Sequence, residues 1–284
     1  MLTRRVRGRQ FLLRPGRRTN EIIGYVLAIM QKKWKIRINA VVVMSNHWHI
    51  VLYDEHGNIV DFQRDCHSFI GRALNAAHGE FGALWSSTPT SRVVCEMPED
   101  TVSKMAYTLA NPTRAGLVAH GKNWPGIRAA WPAKAKTYKR PRIFFSEKTW
   151  ADEATLDLYR PNGYEDIADD VLAAEIASKT HALEEETRQR FQRKRRRFIG
   201  RRAILRQARH ARPRSRETRF GISPQVACRD KWRRIERLQL KKRWRVEYDE
   251  ALGQTRAGVE DVVFPYGTYL MRVRFGVKCA GPPS

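Results

Sequence analysis

Hydrophobic positions in the first hundred residues switch between a helical and an alternating period. Ile22, Ile23, Val26, Leu27 and Met30 recur at helical spacing behind Asn20, which with Glu21 reads as a helix N-cap, and the pattern fades near Lys33. Ile36 to Val43 is rich in β-branched residues and reads as a strand; Ser45-Asn46 is a tight connection into a second strand that ends near Tyr53. Ile59, Phe62, Cys66, Phe69, Ile70, Ala73 and Leu74 then describe an amphipathic helix, and Ser91 to Met97 a further strand. With a short strand at Arg9 to Leu13, closed by Pro15-Gly16, the order is β-α-β-β-α-β, the ferredoxin-like or RRM-like plan. The expected fold class is therefore α+β, an antiparallel sheet with flanking helices. Pro98 and Glu99 open another helix, from about Asp100 to Asn111, expected to stop before Pro112 because proline disfavours helical geometry in the residue ahead of it.

Beyond Pro132 the pattern changes, which places a boundary there: residues 1–132 as one domain and 133–284 as a basic, largely helical extension. Residues 133–165 look loop-rich, with short elements around Ile143 to Phe145 and Trp150 to Leu158. Helical propensity is high in Ile167 to Leu205 and Gln225 to Leu252, with Pro213 and Pro224 between them. Charge sharpens this division. The 284 residues carry a net charge of +25, and Arg188 to Arg245 holds 24 Lys and Arg against three acids. Such a surplus favours a polyanionic partner, nucleic acid before an acidic membrane surface. Cys66, Cys95, Cys228 and Cys279 are too dispersed for a zinc knuckle or a disulfide framework, so reduced packing residues are expected. No run of about 18 apolar residues occurs, from which a soluble, intracellular protein is expected.

Two imidazoles are the sharpest chemical feature. On a strand, His47 and His49 point to one face while Trp48, Ile50 and Leu52 point to the other. That is half of a metal site, and on spacing alone it is equally a polar pair on a wet face. Tyr107 and Asn111, four apart on the later helix, share one helical face. If that face covers the histidines, a divalent ion could take two imidazole nitrogens and the Asn111 oxygen, keeping positions open for phosphate oxygens. Tyr53 shares strand parity with the histidines but lies about 13 Å beyond His49 at about 3.3 Å per residue, too far to join them. Asn111 also fits a helix C-cap ahead of Pro112. Trp48 is expected in the core, and burial is the better reading for Trp85, Trp124 and Trp131, although tryptophans also serve as base-stacking platforms.

The string MSNHWHIVL, Met44 to Leu52, resembles the histidine strand of the single-tyrosine HUH (His-hydrophobic-His) transposases, and YTLANPTRAGLV, Tyr107 to Val118, resembles the tyrosine helix of their REP-associated members. The likeness covers roughly residues 1–130. It implies the HUH endonuclease fold, with His47 and His49 as metal ligands, Asn111 as a third, and Tyr107 as a nucleophile that forms a 5′-phosphotyrosine on single-stranded DNA next to a palindromic hairpin. It implies Mg²⁺ or Mn²⁺ as cofactor and a bacterial, cytoplasmic, nucleoid-associated setting; monomer and homodimer both stay open. The arginine-rich start, and Ala110 and Thr113 beside Asn111, depart from the family pattern. Val262 to Val277 is similar to a C-terminal feature of longer members and is read as structural.

Two basic patches complete the expectation. Arg193, Lys194, Arg195, Arg196, Arg197, Arg201 and Arg202 form a run suited to phosphates, and Arg4, Arg5, Arg7 and Arg9 a smaller one near the substrate entrance. Two other readings use the same residues: a nucleic-acid binder without catalysis, and a replication-initiator-type nickase. The latter commonly pairs two tyrosines on its catalytic helix, whereas Tyr107 stands alone on its own.

Overall fold

The computed structural model describes residues 1–146, 149–215 and 224–281. In chain order its elements are β1 (Leu2–Arg5), α1 (Arg17–Trp34), β2 (Arg37–Val43), β3 (His47–Tyr53), α2 (Ile59–His78), β4 (Ser91–Arg92), β5 (Val94–Cys95), α3 (Pro98–Arg114), β6 (Arg128–Ala130), β7 (Lys136–Lys139), β8 (Glu153–Leu156), α4 (Asp169–Arg193), α5 (Arg201–Arg206), β9 (Val226–Ala227), α6 (Lys231–Arg256), β10 (Val263–Phe264), α7 (Leu270–Phe275) and β11 (Lys278–Cys279). They divide into two compact units, Met1–Gln225 and Val226–Ser284.

The first unit is α+β. Its five-stranded antiparallel sheet has the order β4-β1-β3-β2-β6, compatible with a ferredoxin-like arrangement. Register follows the alternation in β2 and β3, because a one-residue slip would turn every core residue toward the wrong face. Trp48 and Ile50 of β3, with Ile38, Val41 and Val43 of β2, are buried with Ile22, Val26 and Met30 of α1 and Phe62, Cys66 and Ile70 of α2. On the other face Ala40 and Val51 meet Val102 and Met105 of α3 and Leu172 and Ile176 of α4. Farther along, Val42 and Met44 pack with Val118, Trp124 and Ile204 of α5. The histidine pair sits in this second layer, between sheet and α3.

Residues beyond Pro132 do not stand apart from the sheet. The hairpin of β7 and β8 covers α1, where Gly24 lets Tyr138 approach so closely that a Cβ would lie 2.2 Å from its ring. Helix α4 buries Leu172, Ile176 and Phe191, each worth about 2 kcal/mol. Such spaced anchors hold a helix whose composition is otherwise polar. Among the described residues no helix is long and apolar enough to cross a membrane, and all four thiols are free.

Several elements differ from the pattern-based expectation. Arg9 to Leu13 is not a strand; the chain turns at Gly8 and Arg9 with φ of 54° and 56°, the pairing strand lies earlier at Leu2–Arg5, and Leu12 and Leu13 produce the apolar signal because both are buried. Helix α1 starts at Arg17, so Asn20 is no cap, and its Nδ2 donates to the Pro125 carbonyl at 2.9 Å. Ser91 to Met97 holds two two-residue strands instead of one. The span from Ile167 to Leu205 breaks into α4 and α5 at Lys194 to Gly200.

Helix α3 runs through Pro112 to Arg114 instead of ending at Asn111. Pro112 has no N–H to close on the Thr108 carbonyl. The helix continues past it: Arg128 Nε donates to the adjacent Leu109 carbonyl at 2.8 Å, and Ala115 N–H closes on the Asn111 carbonyl at 2.9 Å. Arg128 is itself held 3.7 Å from Glu184 of α4, whose carboxylate also accepts the Gly121 N–H and faces Arg188 at 3.6 Å.

After α3 the chain reverses at Gly116, with φ of 74°, against the Phe191 ring; a Cβ there would sit 2.6 Å from Cζ. Gly116→Ala is therefore expected to cost about 1–3 kcal/mol from both the left-handed backbone and the overlap. Urea denaturation would show the lower midpoint, and an unchanged midpoint would mean that neither constraint is tight.

Candidate functional site

The site begins with strand register. Thr3 lies opposite His49 and Arg5 opposite His47 across β1 and β3, while Val42 of β2 flanks His49 from the other side. Cross-strand neighbours share a face, so both imidazoles rise between Thr3, Arg5 and Val42 toward α3. Thr3 Oγ1 lies 2.7 Å from His49 Nδ1. Asn46 Oδ1 lies 2.7 Å from His47 Nδ1, and its amide is oriented by Nδ2 donating to the Arg9 carbonyl at 3.2 Å. Because that carbonyl can only accept, Asn46 Oδ1 must face the imidazole, and His47 Nδ1 carries the proton. The Nε2 lone pair of His47 is then the one available to a ligand.

Burial keeps both rings neutral. It pushes His47 down to about 4 with help from Arg5, against an interaction with the Asn111 side chain that raises it. His49 is driven well below the usual histidine range by burial first, then by His47, Arg5, Lys104 and Arg114. Neutral imidazole is the form that coordinates metals.

Helix α3 brings the second half. Tyr107 meets the His49 ring edge-on at a centroid distance of 5.7 Å, and the two imidazoles stand edge-on to each other at 4.9 Å. Asn111, one turn later, is buried, with its side chain acting on His47. The four residues singled out from two separate motifs thus converge on one face of the sheet. Two imidazole nitrogens and a carboxamide oxygen are a donor set suited to a divalent ion that keeps open positions, and the orientation imposed by Asn46 on His47 is the outer support such a site needs.

Two cations at this site lie outside the sequence-based expectation. The Arg114 guanidinium lies 4.5 Å from the Tyr107 ring centroid and Lys104 Nζ 5.6 Å. Lys104, Tyr107, Asn111 and Arg114 follow a spacing of three, four and three, one stripe along α3. That spacing is readable in the sequence. Asn46 reads there only as a turn residue, and Thr3 carries no signal, since its place beside His49 depends on pairing with a distant strand.

The basic patches divide. Arg5 is on the histidine face, whereas Arg4 pairs with Trp48 on the opposite face and donates to the Ser86 carbonyl at 2.9 Å. Arg7 reaches the Phe81 carbonyl and Arg9 the Ser215 carbonyl. Arg193, Lys194, Arg195, Arg196, Arg197, Arg201 and Arg202 are all exposed. Their segment is fastened behind α3: Ile199 and Gly200 donate backbone N–H groups to the Gly116 and Leu117 carbonyls, Phe191 stacks on Phe198 at 4.6 Å, and Ile204 is buried against Val42 and Met44. The run lies beside the far end of the tyrosine helix. Comparison with family models, curated proteins and solved structures finds no match.

The buried neutral histidines set an acid limit on stability. His47, His49, His67 (down to about 3) and His78 (down to about 4) all have lowered values. The unfolded chain takes up protons below about 6.5, where the folded chain does not, so stability is full above that pH and falls from there toward pH 4. Urea midpoints across pH 7.5 to 4 should decline below about 6.5; a flat profile would contradict neutral burial.

Proposed function

We propose that this protein is a metal-dependent single-strand DNA endonuclease and strand transferase of the HUH type, with Tyr107 as its nucleophile. The observation that carries the reading is the convergence of Tyr107 and Asn111 on His47 and His49, from motifs some sixty residues apart, in the combination that the two sequence motifs imply. The resemblance to REP-associated tyrosine transposases supplies the substrate class, single-stranded DNA beside a palindromic hairpin. A net charge of +25 and the exposed basic run behind α3 support a polyanionic partner.

His47, His49 and Asn111 would hold Mg²⁺ or Mn²⁺, which when bound supplies charge stabilisation at a phosphate oxygen. The chain's own residues do the rest. Arg114 and Lys104, on either side of Tyr107 along α3, place positive charge beside its ring, next to where the negative charge of the phosphotyrosine would form. A neutral phenol is a weak nucleophile and needs such help. Attack by the Tyr107 oxygen forms the bond to phosphorus and releases a 3′ hydroxyl; the phosphodiester energy is kept, and a second 3′ end reverses the step. Arg5 and the run Arg193 to Arg202 would track the backbone on either side.

Labelled single strands carrying a hairpin provide the test. With Mn²⁺, the protein should form an adduct that survives denaturing electrophoresis, Tyr107→Phe should form none while binding the strand, and His47→Ala or His49→Ala should lose cleavage. Adduct persisting in Tyr107→Phe removes the nucleophile assigned here, and binding without cleavage by the unaltered protein favours the non-catalytic reading. Arg114→Gln should slow adduct formation about ten- to a hundredfold, with Arg114→Lys recovering part of it; equal rates would confine Arg114 to packing.

A further inference from the structure

Helix α6 buries one residue, Ala251, along its 26 positions. Its C-terminal half has a small core of its own: Trp244 stacks on Tyr248 at 5.3 Å and donates Nε1 to the Tyr266 carbonyl, and Tyr248 packs on buried Phe264 of the β10–β11 pair. The other half, from Lys231 to Arg243, has every residue exposed except half-buried Ile235. Packing does not explain why it is a helix.

Charge is organised there, and apolarity is not. Lys231 to Arg245 contains eight Lys and Arg against one acid. Lys231, Arg234, Leu238, Lys242 and Arg245 follow a spacing of three, four, four and three, a single stripe about 21 Å long at about 1.5 Å per residue. Exposed Trp232, Leu238, Leu240 and Val246 point in different directions around the helix and form no continuous apolar seam for a protein partner.

We infer that the N-terminal half of α6 is a docking surface for duplex nucleic acid, gripping phosphates along one stripe. A duplex fits better than a single strand, because single strands are held by stacking on aromatic side chains. On this half of α6 only Trp232 is an exposed aromatic, and it lies off the stripe; Trp244 is already occupied by Tyr248 and Tyr266. An α-helix, about 10–12 Å across with its side chains, also matches the major groove, about 12 Å wide. This surface belongs to the second unit and does not depend on Tyr107 being a nucleophile.

The full chain carrying Tyr107→Phe, which separates binding from any cleavage, provides the test. Its affinity for a fluorescent duplex of about 20 base pairs, an oligo(dT) strand and anionic phosphatidylserine vesicles would be measured over a salt series, with and without Lys231→Gln/Lys242→Gln/Arg245→Gln. That triple change leaves the Arg234 bond to the Cys228 carbonyl in place, and circular dichroism of the free protein checks that helix content is kept. On duplex the slope of log affinity against log salt should fall by about 3, close to 0.9 per lost phosphate contact, with a smaller change on oligo(dT). An unchanged duplex slope overturns the inference, an equal loss on oligo(dT) overturns the duplex assignment, and a loss confined to vesicles makes the stripe a membrane contact instead.

Discussion

Antiparallel pairing of β1 with β3 is the constraint on which the site depends. It sets Thr3 against His49 Nδ1 and Arg5 beside His47, and it fixes which face of the sheet the imidazoles occupy. The same register puts Trp48 and Ile50 into the core on the opposite face. A slip by one residue would turn both histidines into the aliphatic core and drive Trp48 against α3. Hydrophobic burial thus enforces the geometry of a polar site, and the cost of misplacement is far larger than any single hydrogen bond within it.

Helix α3 is held to that face by comparable means. Val102 and Met105 anchor its first half in the sheet, and α4 covers its outer side with Leu172 and Ile176. Midway along its second half Arg128, tied to Glu184, donates to the Leu109 carbonyl. Tyr107 and Asn111 lie on either side of this polar brace. Their side chains are therefore presented by a rigid element, as a site that must hold reacting groups within fractions of an ångström requires.

Much of this is legible in the sequence. Alternation in Ile36 to Tyr53 marks the central hairpin, and helical spacing locates α2 and the Tyr107–Asn111 face. Signals fail where a residue answers to something distant. Leu12 and Leu13 look like strand residues because they are buried, yet Gly8 and Arg9 turn the chain first. Pro112 looks like a stop, yet the helix continues through it to Arg114. The boundary expected at Pro132 follows a change of composition, whereas Leu172 and Ile176 of α4, beyond it, share a core with Val102 and Met105 of α3. Lys104 and Arg114 are within reach of spacing alone; Thr3 is not, since nothing local announces its strand partner.

The central claim is that His47 and His49, their Nδ1 atoms against Asn46 and Thr3, are held neutral beside Asn111 and Tyr107. Manganese titration followed by electron paramagnetic resonance addresses it directly, without DNA or turnover. One ion per chain should bind to the unaltered protein, with the signal of that site lost in His47→Ala and in His49→Ala and weakened in Asn111→Ala. Binding that survives both histidine replacements, or no binding by the unaltered protein, would contradict the account.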